Sequence, residues 1–210
     1  MNANRQVSLY YSPNTRSFGA LVLLEELRAD YRLHVLDVKS GEQRTPEYLA
    51  INPMGKVPAL RHEGALVTEQ AAIYMYAADL YPEAGLAPPI GDALRGPYLR
   101  WMVFYGSCFE PAIVDRALKR EPAPPATSPY GDYDTTLKTL TDQLAGGPYL
   151  LGEQFTAADV LWGTALTWTV GFKLVPKVPV IETYIERVNA RPAFARAKAK
   201  DAELVAARSG

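Results

Sequence analysis

Few side chains in this sequence are equipped for chemistry. There is one cysteine, Cys108, and there are two histidines, His34 and His62. That excludes an intrachain disulfide and a cysteine-rich zinc site, and leaves little from which to build a metal centre. Other short segments hold the remaining possibilities. Tyr10 to Ser17 (YYSPNTRS) gathers the Asn14 amide, the Ser12, Thr15 and Ser17 hydroxyls and the Arg16 guanidinium where strand-like sequence turns into helical sequence. In Asn52 to Pro58 (NPMGKVP), Val57 precedes a proline, and an X-Pro bond reaches cis at a cost of only about 0.5–1 kcal/mol. A cis Val57-Pro58 bond would turn the Val57 N–H and C=O outward at a strand edge, where they can pair with an extended peptide. Glu69-Gln70 opens a helix, whose free N–H groups and dipole favour a carboxylate. Thr156 and Asp159 have the spacing of a capping box and are read as structural.

Periodicity defines the elements that must carry these segments. Val7 to Tyr11 is a β-branched and aromatic run, the apolar residues from Arg16 to Leu27 crowd at helical spacing, and Tyr31 to Leu36 alternates as a second strand. A β-α-β unit of this length requires parallel strands and a right-handed crossover. A short helix around Pro46 to Ile51 follows, then an antiparallel hairpin of Val57 to Arg61 with Ala65 to Thr68, then a helix from Glu69 to Tyr81. Composition shifts at Tyr81 to Pro89 (YPEAGLAPP). Beyond it nothing alternates, and the periodic stretches lie at about 93–119, 132–146, 156–171 and 179–207, separated by EPAPPATSP and GGPYLLGEQ. The expected organisation is α/β plus all-α: residues 1–82 as the first domain, 83–91 as a linker and 92–210 as an all-helical domain.

The chain has 210 residues, 48% of them apolar, with 22 basic residues against 23 acidic. This balance gives no electrostatic footprint for nucleic acid, and the longest apolar run is far below the roughly 20 residues of a membrane helix. The N-terminus has no apolar signal region, so a cytoplasmic location is expected.

The order β-α-β-(short helix)-β-β-α followed by helices suggests a thioredoxin-like domain with a helical partner. Asn52 to Pro58 resembles the loop of cytosolic glutathione S-transferases that carries a cis-proline before the third strand. Glu69-Gln70 stands where that family usually has Glu-Ser, and Phe155-Thr156-Ala157-Ala158-Asp159 looks like the N-capping element of its core helix. The likeness covers nearly the whole chain and is beta-, theta- or nu-like. It implies glutathione as co-substrate, no metal, and a homodimer of C2 symmetry. Val57 and Pro58 would then hold the cysteinyl unit, Glu69 and Gln70 the γ-glutamyl end, and Lys56 or Lys39, with Gln43 and Arg44 as further candidates, the glycyl carboxylate.

In this family the bound thiol ionises beside a donor from the end of the first strand or the start of the first helix. The resemblance makes Asn14 and Arg16 the leading candidates, with Ser12, Thr15 and Ser17 behind them and Tyr11 read as core. Asn14 falls where many classes have Ser or Thr, and Arg16 where the beta class has Cys. With no cysteine in that segment, chemistry through a protein thiolate is disfavoured there, and Cys108 reads as a small buried apolar residue. Trp101, Phe104 and Tyr105 recur at helical spacing. Such a stripe is mostly core, with Phe104 and Tyr105 foremost to face an electrophile. The implied activity is conjugation of the glutathione thiolate to a small apolar electrophile, a detoxification reaction. A non-catalytic glutathione-binding or protein-interaction role stays open, as does disulfide reductase or peroxidase chemistry without a protein thiol.

Overall fold

A computed structural model describes residues 5–121, 123–124 and 126–208. Part of the proline-rich loop, at Pro122 and Pro125, and the first four residues of the N-terminal segment lie outside the described residues. By its contacts the chain forms two compact units, one of residues up to Gly85 together with those from Arg191 onward, the other of Leu86–Ala190.

The first unit is built on one mixed sheet of β1 (Val7–Tyr11), β2 (Tyr31–Val35), β3 (Ala59–His62) and β4 (Ala65–Val67), in the order β2-β1-β3-β4. β1 pairs in parallel with β2, placing Leu9 opposite Leu33, and antiparallel with β3, placing Leu9 opposite Leu60. This is the thioredoxin-like arrangement expected from the element order. Between β1 and β2 runs α1 (Ser17–Glu26). Its residues 19–24 are all buried, so it is apolar on every side rather than amphipathic. α2 (Pro46–Leu49) and α3 (Gln70–Leu80) complete the α/β part.

In the second unit α4 (Arg95–Phe104) passes through a wide turn, Tyr105–Phe109, into α5 (Glu110–Ala117). Proline explains the irregularity. Pro111 has no N–H for the ladder, and its ring crowds the carbonyl four residues back, that of Ser107. α6 (Tyr133–Leu144), α7 (Ala157–Gly171) and α8 (Pro179–Asn189) follow. α7 is buried along most of its length, and its start is fixed by the expected box. The Thr156 N–H and hydroxyl donate to Asp159 Oδ2 at 2.9 and 3.1 Å. The Leu150 N–H and the Tyr184 hydroxyl each donate to Asp159 Oδ1 at 2.9 Å. A carboxylate with no exposed surface thus ties the entrance of α7 to α8 and to the preceding loop.

The stretch 179–207, expected as one helical segment in an all-helical domain 92–210, divides. Arg191 is extended, at φ −71° and ψ 140°, because the residue before a proline is driven out of the helical region, and α9 (Pro192–Ala206) starts anew at Pro192. α9 packs on α1, so residues from Arg191 onward belong to the first unit. Polar contacts reinforce this docking. Arg191 donates to both oxygens of Glu26, at 2.5 and 2.9 Å. Glu25 receives Arg196 at 2.7 Å, Lys200 at 3.1 Å and the Tyr31 hydroxyl at 2.5 Å. Phe18 of α1 meets Phe194 of α9 edge to face at 5.4 Å.

Burial alone would raise the Glu25 pKa, but the hydrogen bonds from Tyr31, Arg196 and Lys200 outweigh it and hold the carboxyl below the usual value. A folded pKa below the unfolded one means that the stabilisation is full above the unfolded value and is lost as pH falls through the folded one. Glu25→Gln should therefore unfold at lower denaturant than the parent at neutral pH. The difference should close as pH is lowered through the carboxylate range, below about 4.5. Urea titrations at pH 7, 5 and 3 check this; a gap that persists at pH 3 would show that the stabilisation is not ionic.

Candidate functional site

Sheet register brings the chemically equipped segments to one end of the first unit. Tyr10 lies opposite Ala59, so β1 ends where β3 begins, and Leu60 opposite Val67 places the end of β4 there too. The 12–17 turn leaves β1 at this end, the 52–58 loop arrives at it, and Glu69-Gln70 departs from it into α3. A direct bond joins two of them: Gln70 Nε2 donates to the Arg16 carbonyl at 3.1 Å.

The 12–17 turn is knit from its own hydroxyls. Ser17 Oγ accepts from the Ser12 N–H at 3.0 Å and lies 2.8 Å from the Ser12 carbonyl. Thr15 Oγ1 reaches the same carbonyl at 2.7 Å and the Ser17 hydroxyl at 2.7 Å. Ser12 and Ser17 are buried. The Thr15 and Ser17 hydroxyls satisfy the Ser12 main chain, and Asn14 and Arg16 are the exposed side chains of the turn. Asn14 sits at φ 57°, a left-handed conformation that asparagine tolerates better than most residues. Tyr11 is fully buried, as a core residue should be, and its hydroxyl donates to Asp201 of α9. Burial first, then that contact, drives its pKa up.

The Val57-Pro58 peptide bond is cis. Val57 precedes β3, and among the described residues its N–H and C=O have no hydrogen-bond partner. Asn52, 2% exposed, organises the loop leading to it. Its Oδ1 accepts from the Met54 N–H at 3.1 Å, its carbonyl accepts from the Gly55 N–H at 2.8 Å, and its Nδ2 donates to the Lys56 carbonyl at 2.9 Å. The Tyr48 hydroxyl donates to that same carbonyl at 2.7 Å. Below the loop, Tyr10, Tyr48 and Ala59 form a small core on which Leu36, Ile51 and Val57 pack. Sequence reasoning missed Tyr48 and the clamp made by Asn52. Asn52 was visible as a member of the motif, but nothing in the spacing said where its amide points.

Glu69, exposed, caps α3 at φ 64° and ψ 123°, a conformation costly for any residue with a side chain, and its carbonyl accepts from the Ile73 N–H at 3.0 Å. Lys39 and Lys56 are exposed, and neither ammonium makes an ion pair among the described residues. Gln43 is turned to the Val38 carbonyl at 3.2 Å and Arg44 to the Met54 carbonyl at 3.4 Å. In the second unit the aromatic stripe divides. Trp101 and Tyr105 are 1% and 3% exposed and pack on Trp162 at 5.7 and 5.5 Å, while Phe104 is half-buried. The Tyr105 hydroxyl is taken up by Glu110 at 2.5 Å, so of the three residues expected beside an electrophile only Phe104 keeps appreciable surface. Cys108 is half-buried rather than buried, and burial pushes its thiol pKa up. Among the described residues no group of three His, Cys, Asp or Glu could hold a metal ion, and no helix is long and apolar enough to cross a membrane.

Residues 5–79 match the glutathione S-transferase N-terminal domain and residues 130–194 match its C-terminal domain. A solved glutathione transferase of Methylococcus capsulatus is 33% identical, with a TM-score of 0.76 over 93% of this chain and 98% of that one. The chain belongs to the glutathione S-transferase family. Its sequence is also 29% identical to the disulfide-bond oxidoreductase YfcG of Escherichia coli K12, over 92% of this chain and 95% of that protein. A sphingomonad glutathione S-transferase solved in complex with glutathione is 30% identical, with a TM-score of 0.76 over 93% of this chain and 98% of that one.

In this transferase-family chain the loop before Val57 depends on a glycine. Gly55 has φ 58°, and a Cβ there would stand 2.7 Å from the Gln43 carbonyl oxygen and 2.9 Å from Arg44 Nη1. Gly41, at φ 90°, has nothing within 4 Å of such a Cβ. Both alanine variants suffer the positive φ, of order 1 kcal/mol, but only Gly55→Ala adds a clash with backbone. Gly55→Ala should lose at least about 1 kcal/mol more unfolding free energy than Gly41→Ala, by urea denaturation. Equal losses would mean that the loop does not need the close approach.

Proposed function

We propose that this protein binds glutathione across Val57, Glu69 and the 12–17 turn and conjugates its thiolate to a small apolar electrophile. The observation that carries this reading is the unpartnered N–H and C=O of Val57 beside the cis Val57-Pro58 bond. An extended tripeptide adds to such a pair as a short strand does, through two main-chain hydrogen bonds. The starts of α1 and α3 lie at the same end of the sheet and favour anions, suiting a thiolate at the 12–17 turn and the γ-glutamyl carboxylate at Gln70. Glu69 supplies the anion for the γ-glutamyl ammonium, and its strained backbone is of the kind that persists where function requires it. Lys56 or Lys39 would receive the glycyl carboxylate. The electrophile needs no metal, since the step forms one carbon–sulfur bond while a leaving group departs or a proton is taken up. The assembly is read as a cytoplasmic homodimer.

Glutathione-dependent disulfide reduction is the second reading. It is favoured by the likeness to a disulfide-bond oxidoreductase, and with no cysteine at residues 10–17 it would use glutathione thiols alone. Two glutathione thiols would be oxidised to one glutathione disulfide while the substrate disulfide is reduced to two thiols, with no protein thiol entering. Turnover of an aryl halide against turnover of a small organic disulfide, each with glutathione, separates the two readings; glutathione binding with neither turnover would leave a binding protein.

Because Glu69 lies at positive φ, Glu69→Gly should hold or raise the melting temperature while weakening glutathione binding. Loss of one charge-assisted contact costs about 1.5–3 kcal/mol, or roughly ten- to a hundred-fold in Kd. Calorimetric titration beside thermal melting checks this, and unchanged affinity would remove Glu69 from the site.

The activator of the thiol can be identified by its range. Charge acts over several ångströms and is screened by salt, whereas a hydrogen bond requires contact. Arg16→Gln should raise the pKa of the bound thiol by about a unit if the guanidinium is the source, with added salt acting in the same direction. Asn14→Gly, which deletes the amide without straining the turn, should raise it with little salt effect if Asn14 is the donor. Ultraviolet thiolate absorbance reads both. A wild-type thiol that titrates like free glutathione would decide for the binding protein.

A further inference from the structure

We propose that Tyr11 and Asp201 are positioning residues for the 12–17 turn, so that the last helix of the chain sets how well the turn stabilises a bound thiolate. The proposal rests on the glutathione reading above. α9 holds both flanks of the turn: Tyr11, immediately before it, donates its hydroxyl to Asp201, and Phe18, immediately after it, packs edge to face on Phe194 at 5.4 Å. Tyr11 is fully buried and its hydroxyl is committed to Asp201, so it acts on a ligand through the backbone it fixes. The chain of contacts is short. Tyr11 is the last residue of β1, its carbonyl accepts from the Leu36 N–H at 2.8 Å, and the other end of that same peptide group, the Ser12 N–H, donates to Ser17 Oγ at 3.0 Å. The Asn14 and Arg16 backbone follows within that closed turn.

Groups facing the pair are Tyr31, which contributes to the environment of Tyr11, and the neighbouring Glu25, Arg196 and Lys200 cluster. The cluster supplies a control. Arg196 docks the same helix on Glu25 without touching Tyr11. Loosening α9 there weakens the docking and leaves the turn's own anchor in place.

Tyr11→Phe, Asp201→Asn and Arg196→Gln would be compared by hydrogen exchange of the amides at residues 12–18 and by the pKa of bound glutathione. The expected result is at least about tenfold faster exchange of the turn amides in Tyr11→Phe and Asp201→Asn. Their thiol pKa should rise by about half a unit or more, with Arg196→Gln leaving both near the parent. The sign matters. If Asp201 acted only through its own negative charge, Asp201→Asn would lower the thiol pKa, and that outcome overturns the proposal. Unchanged exchange in Tyr11→Phe overturns it as well, as does faster exchange with an unmoved thiol pKa, which would leave α9 a structural clamp. If Asp201→Asn fails to fold, Tyr11→Phe decides by itself. A parent protein whose bound thiol titrates like free glutathione sinks the transferase reading instead, and the exchange comparison then decides whether α9 positions the turn.

Discussion

The main chain of one residue, Ser12, governs how the first unit turns from its central strand into α1. It follows the central strand, is buried, and cannot continue the ladder because the chain must turn toward α1. Leaving its N–H and C=O unsatisfied would cost a few kcal/mol. The Ser17 hydroxyl resolves this by meeting both, with Thr15 sharing the carbonyl. Strand, turn and helix are thereby locked over six residues. The exposed positions in the turn are then Asn14 and Arg16. The hydroxyls that satisfy the Ser12 main chain are thereby set apart from the two side chains exposed on the turn.

The loop before β3 solves the opposite problem. There the main chain is left open at Val57, and the groups around it keep it from closing on itself. Asn52 and Tyr48 converge on the Lys56 carbonyl, one residue earlier, so the hydrogen bonding of the loop stops just short of Val57. A site that recognises a peptide by its backbone needs such a pair of unused groups on a rigid support. The cluster of Tyr10, Tyr48 and Ala59 provides the support from below.

Much of this was legible in the sequence. The four strands and the helices between them were readable because their apolar periods are long enough to distinguish two from 3.6, and the NPMGKVP loop and the Thr156-x-x-Asp159 box are local patterns with local causes. The cis bond at Val57-Pro58 and the buried cap at Asp159 are both present as expected. What could not be read depends on partners far away in the chain. The run 179–207 has continuous helical periodicity, and Pro192 was the only local sign that it breaks. Nothing near Glu25 says that Arg196 and Lys200 will come to it, since such a pairing is set by how α9 docks rather than by any spacing. The aromatic stripe at Trp101, Phe104 and Tyr105 has the same period whether it faces a core or a ligand. Only packing on Trp162 and the Glu110 contact separate Tyr105 from Phe104.

The return of α9 to the first unit makes that unit discontinuous in the chain. During synthesis every candidate glutathione-binding residue has been made by Gln70, yet Tyr11 and Glu25 lack their partners until residues 191–208 emerge more than a hundred residues later. Contacts that span so much of the chain form late and slowly. A ribosome stalled anywhere in the helical half would present a sheet with all its binding groups and with the buried face of α1 uncovered, a species for chaperones rather than for ligand. Completion of the support beneath the site is therefore timed to the synthesis of α9.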